Sequence, residues 1–420
     1  MILISLALQS LRNRALSTAI TLFSVALSVF LILGVEQVRR GTQESFSNSI
    51  SQVDIVVGAR GSEIQLLLYS IFHLGDATNN ITYDTYEHFK NHPSTEWTIP
   101  ISLGDSHEGY RVVATDHNFY EHYRFQEDRA VEFRAGRAAD DVFDVVLGSE
   151  VAKKLKYEIG TPVVISHGIS AMSFQKHADK PFKIVGILKA TGTPVDRALY
   201  ITLEGMEAIH IDWKDGTPPL PGQGTPASQI KKDNIKIGQI TSFLLRTRNR
   251  IAILRLQREI NDFTSEPLMS TIPGVALSKL WDTLSYAEIA LRMISACVAL
   301  VSLLGLLLVL YTSLNERRRE MSIFRALGLG PAKLLFLLLS ESISIVIVGA
   351  LLGAGALYAA LWLGGPWLID TFGLVIPVHA PSSDEWGYLG ILVLASFFVG
   401  LIPAWTAYRR SLADGLGVRI

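Results

Sequence analysis

Ten histidines, one cysteine and two serine-bearing turns are the residues of this 420-residue chain whose types could do chemistry. The histidines are His73, His88, His92, His107, His117, His122, His167, His177, His210 and His379. The densest pair, His117 and His122, stands beside Asp116 and Glu121. A spacing of five on a short helix is poor for sharing an ion, and no H-E-x-x-H occurs, so the pattern predicts no metal bound directly. Ser166-His167-Gly168 and Gly148-Ser149-Glu150 place serine near histidine or glutamate. A triad is assembled in space rather than in sequence, however, and no G-x-S-x-G turn is present. Cys297 lies in an apolar run, where a buried thiol acts as inert packing, and one cysteine forms no internal disulfide. No G-x-x-x-x-G-K-[ST] phosphate loop occurs either. The sequence therefore predicts no catalytic residue and no cofactor on this chain, and nucleotide chemistry has to come from a partner.

Charge at a surface is a different matter, and it is concentrated in residues 315–334, NERRREMSIFRALGLGPAKL. Arg317, Arg318, Arg319, Arg325 and Lys333 stand there against only Glu316 and Glu320. A short basic stretch between two membrane spans stays on the cytoplasmic side. Ile323, Phe324, Ala326 and Leu327, with Gly328 after them, offer an apolar ridge to a groove on a soluble partner. The arginines meet that partner or lipid headgroups, or do no more than fix topology.

The elements that must position this loop are four apolar runs of at least the ~20 residues needed to cross a hydrocarbon core. They fall at 15–40, 289–313, 334–363 and 386–408, with 314–333 as the cytoplasmic loop. Residues 1–14 read as an amphipathic helix on the inner surface, carrying Arg12 and Arg14. No small-x-small cleavage site precedes Arg39, so the first run reads as a retained anchor. Residues 364–385, with Pro366, Pro377 and Pro381, form a short outer loop, and 409–420 a basic cytoplasmic tail. Both termini are expected inside and residues 41–288 outside. Glu341 is an intramembrane acid, a candidate for a proton or cation path or an acid near enough the interface to reach the basic loop. Gly349 and Gly353 form a small-xxx-small pair through which helix backbones can approach. Arg292 is expected to snorkel to the outer surface.

Composition fits this division. The chain is 49% hydrophobic and 18% charged, too apolar for an ordinary soluble protein and too polar for a wholly embedded one. Net charge is only −1 although the cytoplasmic segments are basic, so the remainder is acidic and carries no nucleic-acid footprint. The fold class expected is an α-helical membrane protein with four transmembrane helices and a large α+β extracytoplasmic domain inserted between the first and second. In that domain, strands are expected at 53–57, 111–114, 144–147, 161–165, 182–188 and 240–245. Helices are expected at 63–71, 83–91, 150–155 and 251–263. Segments 41–51 and 279–288 lack breakers and could carry the first two spans outward as helices. Residues 215–229, DGTPPLPGQGTPASQ, read as a flexible loop or linker, with a partner-grasping finger as the sharper alternative.

Four blocks in order resemble the FtsX-like, MacB-type permeases of ATP-binding cassette systems, the mechanotransmission class. NERRREMSIFRALGLGPAKLL is similar to that family's E-R-x-R-E-I-x-x-x-R-A-L-G-A signature, and GLIPAWTAYRRSLADGL to its G-x-x-P-A ending. SLRNRALSTAITLFSVALSVF resembles the family's opening motif, though without its usual glycine near Ser24. VLGSEVAKKLKYEIGTPVVI followed by FKIVGILKATGTPVDRALYITLEGMEAI resembles its periplasmic core domain. The resemblance implies a bacterial inner-membrane permease, as a homodimer or paired with a related permease. Two copies of a separate cytoplasmic ABC ATPase, which carry the ATP and Mg, would bind beneath residues 315–334 as a coupling helix. A periplasmic adaptor, a lipoprotein or a substrate-binding protein would be a further partner. A role in envelope metal homeostasis is the alternative process, and an envelope enzyme a third.

Overall fold

The computed structural model describes residues 15–168, 177, 179–213, 224–316, 330–372 and 378–413. Four helices in it are long and apolar enough to cross a membrane: Ala15–Asn48, Pro273–Glu316, Pro331–Phe372 and Ser383–Ala413. These are the first to fourth spans, and the α/β domain lies between the first and second in sequence. The helices outrun the apolar cores. The first continues to Asn48 and the second begins at Pro273, so 41–48 and 279–288 are helical. The third runs through Pro366 to Phe372, where a loop from 364 was expected. Trp367, Leu368 and Ile369 keep the apolar pattern going, and one proline removes only one donor N–H.

The chain divides into two compact units, one of span residues (through Thr42, Leu284–Asp370 and from Ile376) and one of Gln43–Thr283. The second unit is built on strands β1 (Ile55–Ala59), β2 (Ile81–Thr82), β3 (Thr95–His107), β4 (Tyr110–Thr115), β5 (Arg124–Phe125), β6 (Arg129–Ala130), β7 (Phe133–Gly136) and β8 (Asp144–Leu147). After these come β9 (Pro162–Val163), β10 (Ser166–His167), β11 (Phe182–Leu188), β12 (Ala198–Thr202), β13 (Gln239–Ile240), β14 (Ser242–Thr247) and β15 (Leu268–Thr271). Among the described residues, the main sheet runs β15-β1-β14-β3-β4-β12-β8-β11-β7, with β10 added to β3 and β9 to β11. Pairing is mixed, since β12 lies parallel to β4 and β11 parallel to β8.

Both faces of this sheet are buried, and the period of two divides each strand between two cores. Val57, Val112, Val145, Ile184, Ile201 and Phe243 point into one core; Val56, Val113, Val146, Val185, Tyr200 and Leu244 point into the other. The first core is covered by helices that include Leu203–His210, which buries Leu203, Met206 and Ile209. Each such side chain contributes about 1.5–3 kcal/mol on burial. That helix starts where Thr202 accepts the Gly205 N–H at 3.0 Å, a side-chain N-cap.

Some expected elements shift. The strand expected at 161–165 shrinks to β9, and the one at 240–245 splits at Thr241 into β13 and β14. The longest strand, β3, was not anticipated. Pro100 and Gly104 interrupt its pattern, yet Pro100 sits in mid-sheet opposite Phe243 because the rest of TEWTIPISLGDSH satisfies both neighbours. Residues 214–223 of the Pro/Gly-rich segment lie outside the described residues.

Candidate functional site

The sheet brings together four residues that no local motif joins: Asp105 in β3, His167 in β10, His177, and His210 at the end of helix Leu203–His210. β10 pairs with β3 in a register that sets His167 directly opposite Asp105. A bulge helps aim the carboxylate. The β3–β4 pairing shifts between Leu103 and Ser106, accommodating an extra residue at Gly104 and Asp105. The His177 backbone N–H donates to the Ile165 carbonyl at 2.9 Å, which draws it alongside the start of β10.

Each of the four offers one ligand atom, and all four atoms lie within 4.8 Å of one another. Asp105 Oδ1 is 3.1 Å from His167 Nδ1, and Oδ2 is 3.6 Å from His210 Nε2. His167 Nδ1 and His210 Nε2 are 3.2 Å apart. His210 Nδ1 donates to the Met206 carbonyl at 3.0 Å, which turns the Nε2 lone pair toward the cluster. Asp105 is fully buried, and neither of its oxygens, nor His177 Nε2, has an aligned hydrogen-bond partner. Trp213 packs on all three imidazoles, with ring centroids 4.7 Å from His167, 5.3 Å from His210 and 5.4 Å from His177. Burial pushes His177 down to about 4, leaving it a neutral imidazole, whereas the Asp105 carboxylate raises His167. Nearby, the buried Lys180 donates to Asp212 at 2.7 Å, and Asp212 also accepts from the Thr225 hydroxyl at 2.6 Å. That cation is committed elsewhere.

The pair singled out by spacing behaves differently. His117 Nε2 sits 3.3 Å from Asp140 at the surface, while His122 stacks on Trp97 at 5.2 Å. His107 donates from Nδ1 to the Val164 carbonyl at 2.7 Å and accepts at Nε2 from the Tyr157 hydroxyl at 3.0 Å, a satisfied core histidine. Ser166 and His167 are consecutive on a strand and face opposite sides. Ser149 opens the helix Ser149–Leu155. The four-residue cluster went unseen because its members are far apart in sequence and converge only through sheet register. The sole sequence signal was a set of histidines scattered along the outer segment.

In the span unit, Arg317, Arg318, Arg319, Glu320, Ile323, Phe324, Arg325, Ala326, Leu327 and Gly328 lie outside the described residues, and Glu316 ends the second span's helix. Glu341 is buried at 5% exposure. A Cβ on Gly349 would meet Val25 Cγ1 at 2.7 Å, and one on Gly353 would meet the Ala26 carbonyl at 2.3 Å, so the third span touches the first at its glycines. Ser28 and Ser302 hydroxyls join the first and second spans at 2.7 Å, and Ser342 donates to the Ser396 carbonyl at 3.0 Å between the third and fourth. Arg292 does not snorkel alone: its Nη2 lies 3.2 Å from Glu36 Oε2 on the first span. Glu385 is fully buried; it accepts from Gln37 Nε2 at 3.0 Å and lies 3.5 Å from Arg40 Nη1. Cys297 lies on an exposed face rather than in the packing, because the second span turns that side away from the other helices.

Comparison with known proteins adds two family matches in tandem. The MacB-like periplasmic core domain matches residues 18–261, and the FtsX-like permease C-terminal region matches 292–412. Among curated relatives, the pyoverdine export ATP-binding/permease protein PvdT of Pseudomonas fluorescens is 21% identical over 93% of this chain and 55% of its own length. The macrolide export ATP-binding/permease protein MacB of Nitrobacter winogradskyi is 22% identical over 98% of this chain and 59% of its own. The chain thus spans a little over half the length of these relatives. Among solved structures, the periplasmic region of MacB from Actinobacillus actinomycetemcomitans aligns over 55% of this chain and 94% of its own, at 9% identity and a TM-score of 0.33.

Proposed function

This chain belongs to the family of ABC transporter permeases that join a MacB-like periplasmic core domain to an FtsX-like C-terminal region, and from that premise we propose that it is a mechanical permease subunit. It converts ATP hydrolysis by a separate cytoplasmic ATPase into conformational work of its outer domain. The observation that carries this reading is the tandem match across residues 18–412, laid over four apolar helices in the same order. In this reading the ATP and Mg are held by that ATPase. Two of the polar contacts between spans, Ser28 with Ser302 and Ser342 with Ser396, are consumed in helix packing, which favours work outside the membrane over passage through it. Both termini and residues 314–333 lie in the cytoplasm of this reading, and Glu316 through Gly328 make the coupling contact with the ATPase. The work is export, as the relatives' names give for them, with a periplasmic adaptor as partner, or lipoprotein extraction, or control of an envelope partner.

The test is to reconstitute the chain in nanodiscs with a candidate cytoplasmic ABC ATPase. ATP turnover is expected to depend on the permease, and reversing Arg317, Arg318 and Arg319 to glutamate is expected to abolish that stimulation. A triple variant that still assembled with the ATPase and stimulated it fully would overturn the coupling assignment.

A further inference from the structure

We propose that Asp105, His167, His177 and His210 bind one divalent transition ion of the zinc class in the outer domain. The donor set points to that class. Three imidazoles and one carboxylate suit zinc and its first-row neighbours, whereas calcium and magnesium require oxygen ligands. The spacing agrees as well. Bonds of ~2.0–2.1 Å in a tetrahedron set neighbouring ligand atoms roughly 3.3–3.4 Å apart. Two edges that share His167 Nδ1 measure 3.1 Å to Asp105 Oδ1 and 3.2 Å to His210 Nε2, and the other carboxylate oxygen, Oδ2, lies 3.6 Å from His210 Nε2. His177 then closes the fourth corner from within 4.8 Å by a shift on the order of 1 Å.

A second observation is independent of this spacing. A fully buried carboxylate with no aligned donor is costly unless a cation compensates it. Lys180 is spent on Asp212, so within the cluster only a protonated imidazole, His167 or His210, or a metal ion can do so. His177 Nε2 is buried and partnerless in the same place, and a metal satisfies it where a proton shared between Asp105 and His167 or His210 does not. The outer contacts are those of a ligand set, since His210 is oriented by the Met206 carbonyl and all three rings are backed by Trp213. Four protein ligands leave no open position, so the ion serves as a structural or sensing tie rather than a catalyst. His167 is the exposed member and gives the ion its way in. The ion would clasp β3, β10, the turn at His177 and the end of helix Leu203–His210.

The experiment uses the full chain in detergent, purified without a histidine tag and stripped with chelator, and titrated with zinc by calorimetry. One ion per chain is expected. Asp105→Asn and His177→Ala should each weaken binding by at least ~10–100-fold, while His88→Ala and His122→Ala leave it unchanged. X-ray absorption of the zinc-loaded wild type should show three imidazoles in a four-coordinate shell, a readout that needs no variant to fold. No uptake at micromolar zinc would mean that the cluster is held by a proton alone, and would overturn the proposal. So would unchanged affinity in Asp105→Asn and His177→Ala, or a shell with fewer than two imidazoles. None of these outcomes depends on the ATPase.

Discussion

Asp116 shows how one side chain ties the outer domain to pH. It caps the helix His117–His122 by accepting the Asn118 N–H at 3.0 Å, yet burial pushes its carboxyl up to about 6 from an ordinary 3.8. Between those values the folded chain holds a proton that the unfolded chain has shed. Its contribution to stability is therefore full below about 3.8 and is lost as pH rises through about 6, a cost on the order of 2–3 kcal/mol at neutral pH. Asp116→Asn keeps the cap and removes the charge. Hydrogen exchange should find helix His117–His122 and β3 better protected in the variant at pH 7 and equally protected below pH 4. Identical pH profiles for the two proteins would refute this. At this scale the sequence was least legible. It singled out His117 and His122 by proximity, whereas His167 meets Asp105 only because two strands far apart in sequence share a register.

Elements were more legible, though with characteristic errors. The spans were readable because length and apolarity suffice to define them. The helix ends were not, since the first and second helices continue beyond their apolar runs into polar sequence. β3 was hidden by Pro100 and Gly104, two residues that argue against a strand locally and are tolerated in a sheet fixed by its neighbours on both sides. The small-residue face of the third span supports a prediction with an internal control. Gly353 leaves no room for a Cβ against the Ala26 carbonyl, whereas a Cβ on Gly355 would meet nothing within 4 Å. Gly353→Leu should lower the thermal midpoint of the purified chain by several degrees, in line with overpacking costs of about 1–3 kcal/mol. Gly355→Leu should leave it in place. Equal effects of the two substitutions would remove the packing role.

For the whole molecule, the order of parts was legible throughout: span, inserted α+β domain, then three spans. That order is what the family profiles match. Assembly was open to sequence only through resemblance. Native mass spectrometry of the reconstituted complex is expected to return two permease chains, two copies of this one or one with a related permease, and two of the ATPase; one permease chain per complex would contradict the pairing that the resemblance implies.

Glu385 gives the span unit a graduated scale. Ser382 and Glu385 form a reciprocal cap at the start of the fourth span: Glu385 accepts the Ser382 N–H at 2.5 Å, and Ser382 accepts the Glu385 N–H at 3.3 Å. Both groups travel with the helix they cap. Gln37 and Arg40 belong to the first span instead, so their contacts with the same carboxylate register where one helix stands along the other. A slide of one residue, about 1.5 Å, would change the lengths of the Gln37 and Arg40 contacts while leaving the cap intact. Bending of the fourth span away from that end would leave the reading unchanged. The carboxylate thus tells translation from flexure.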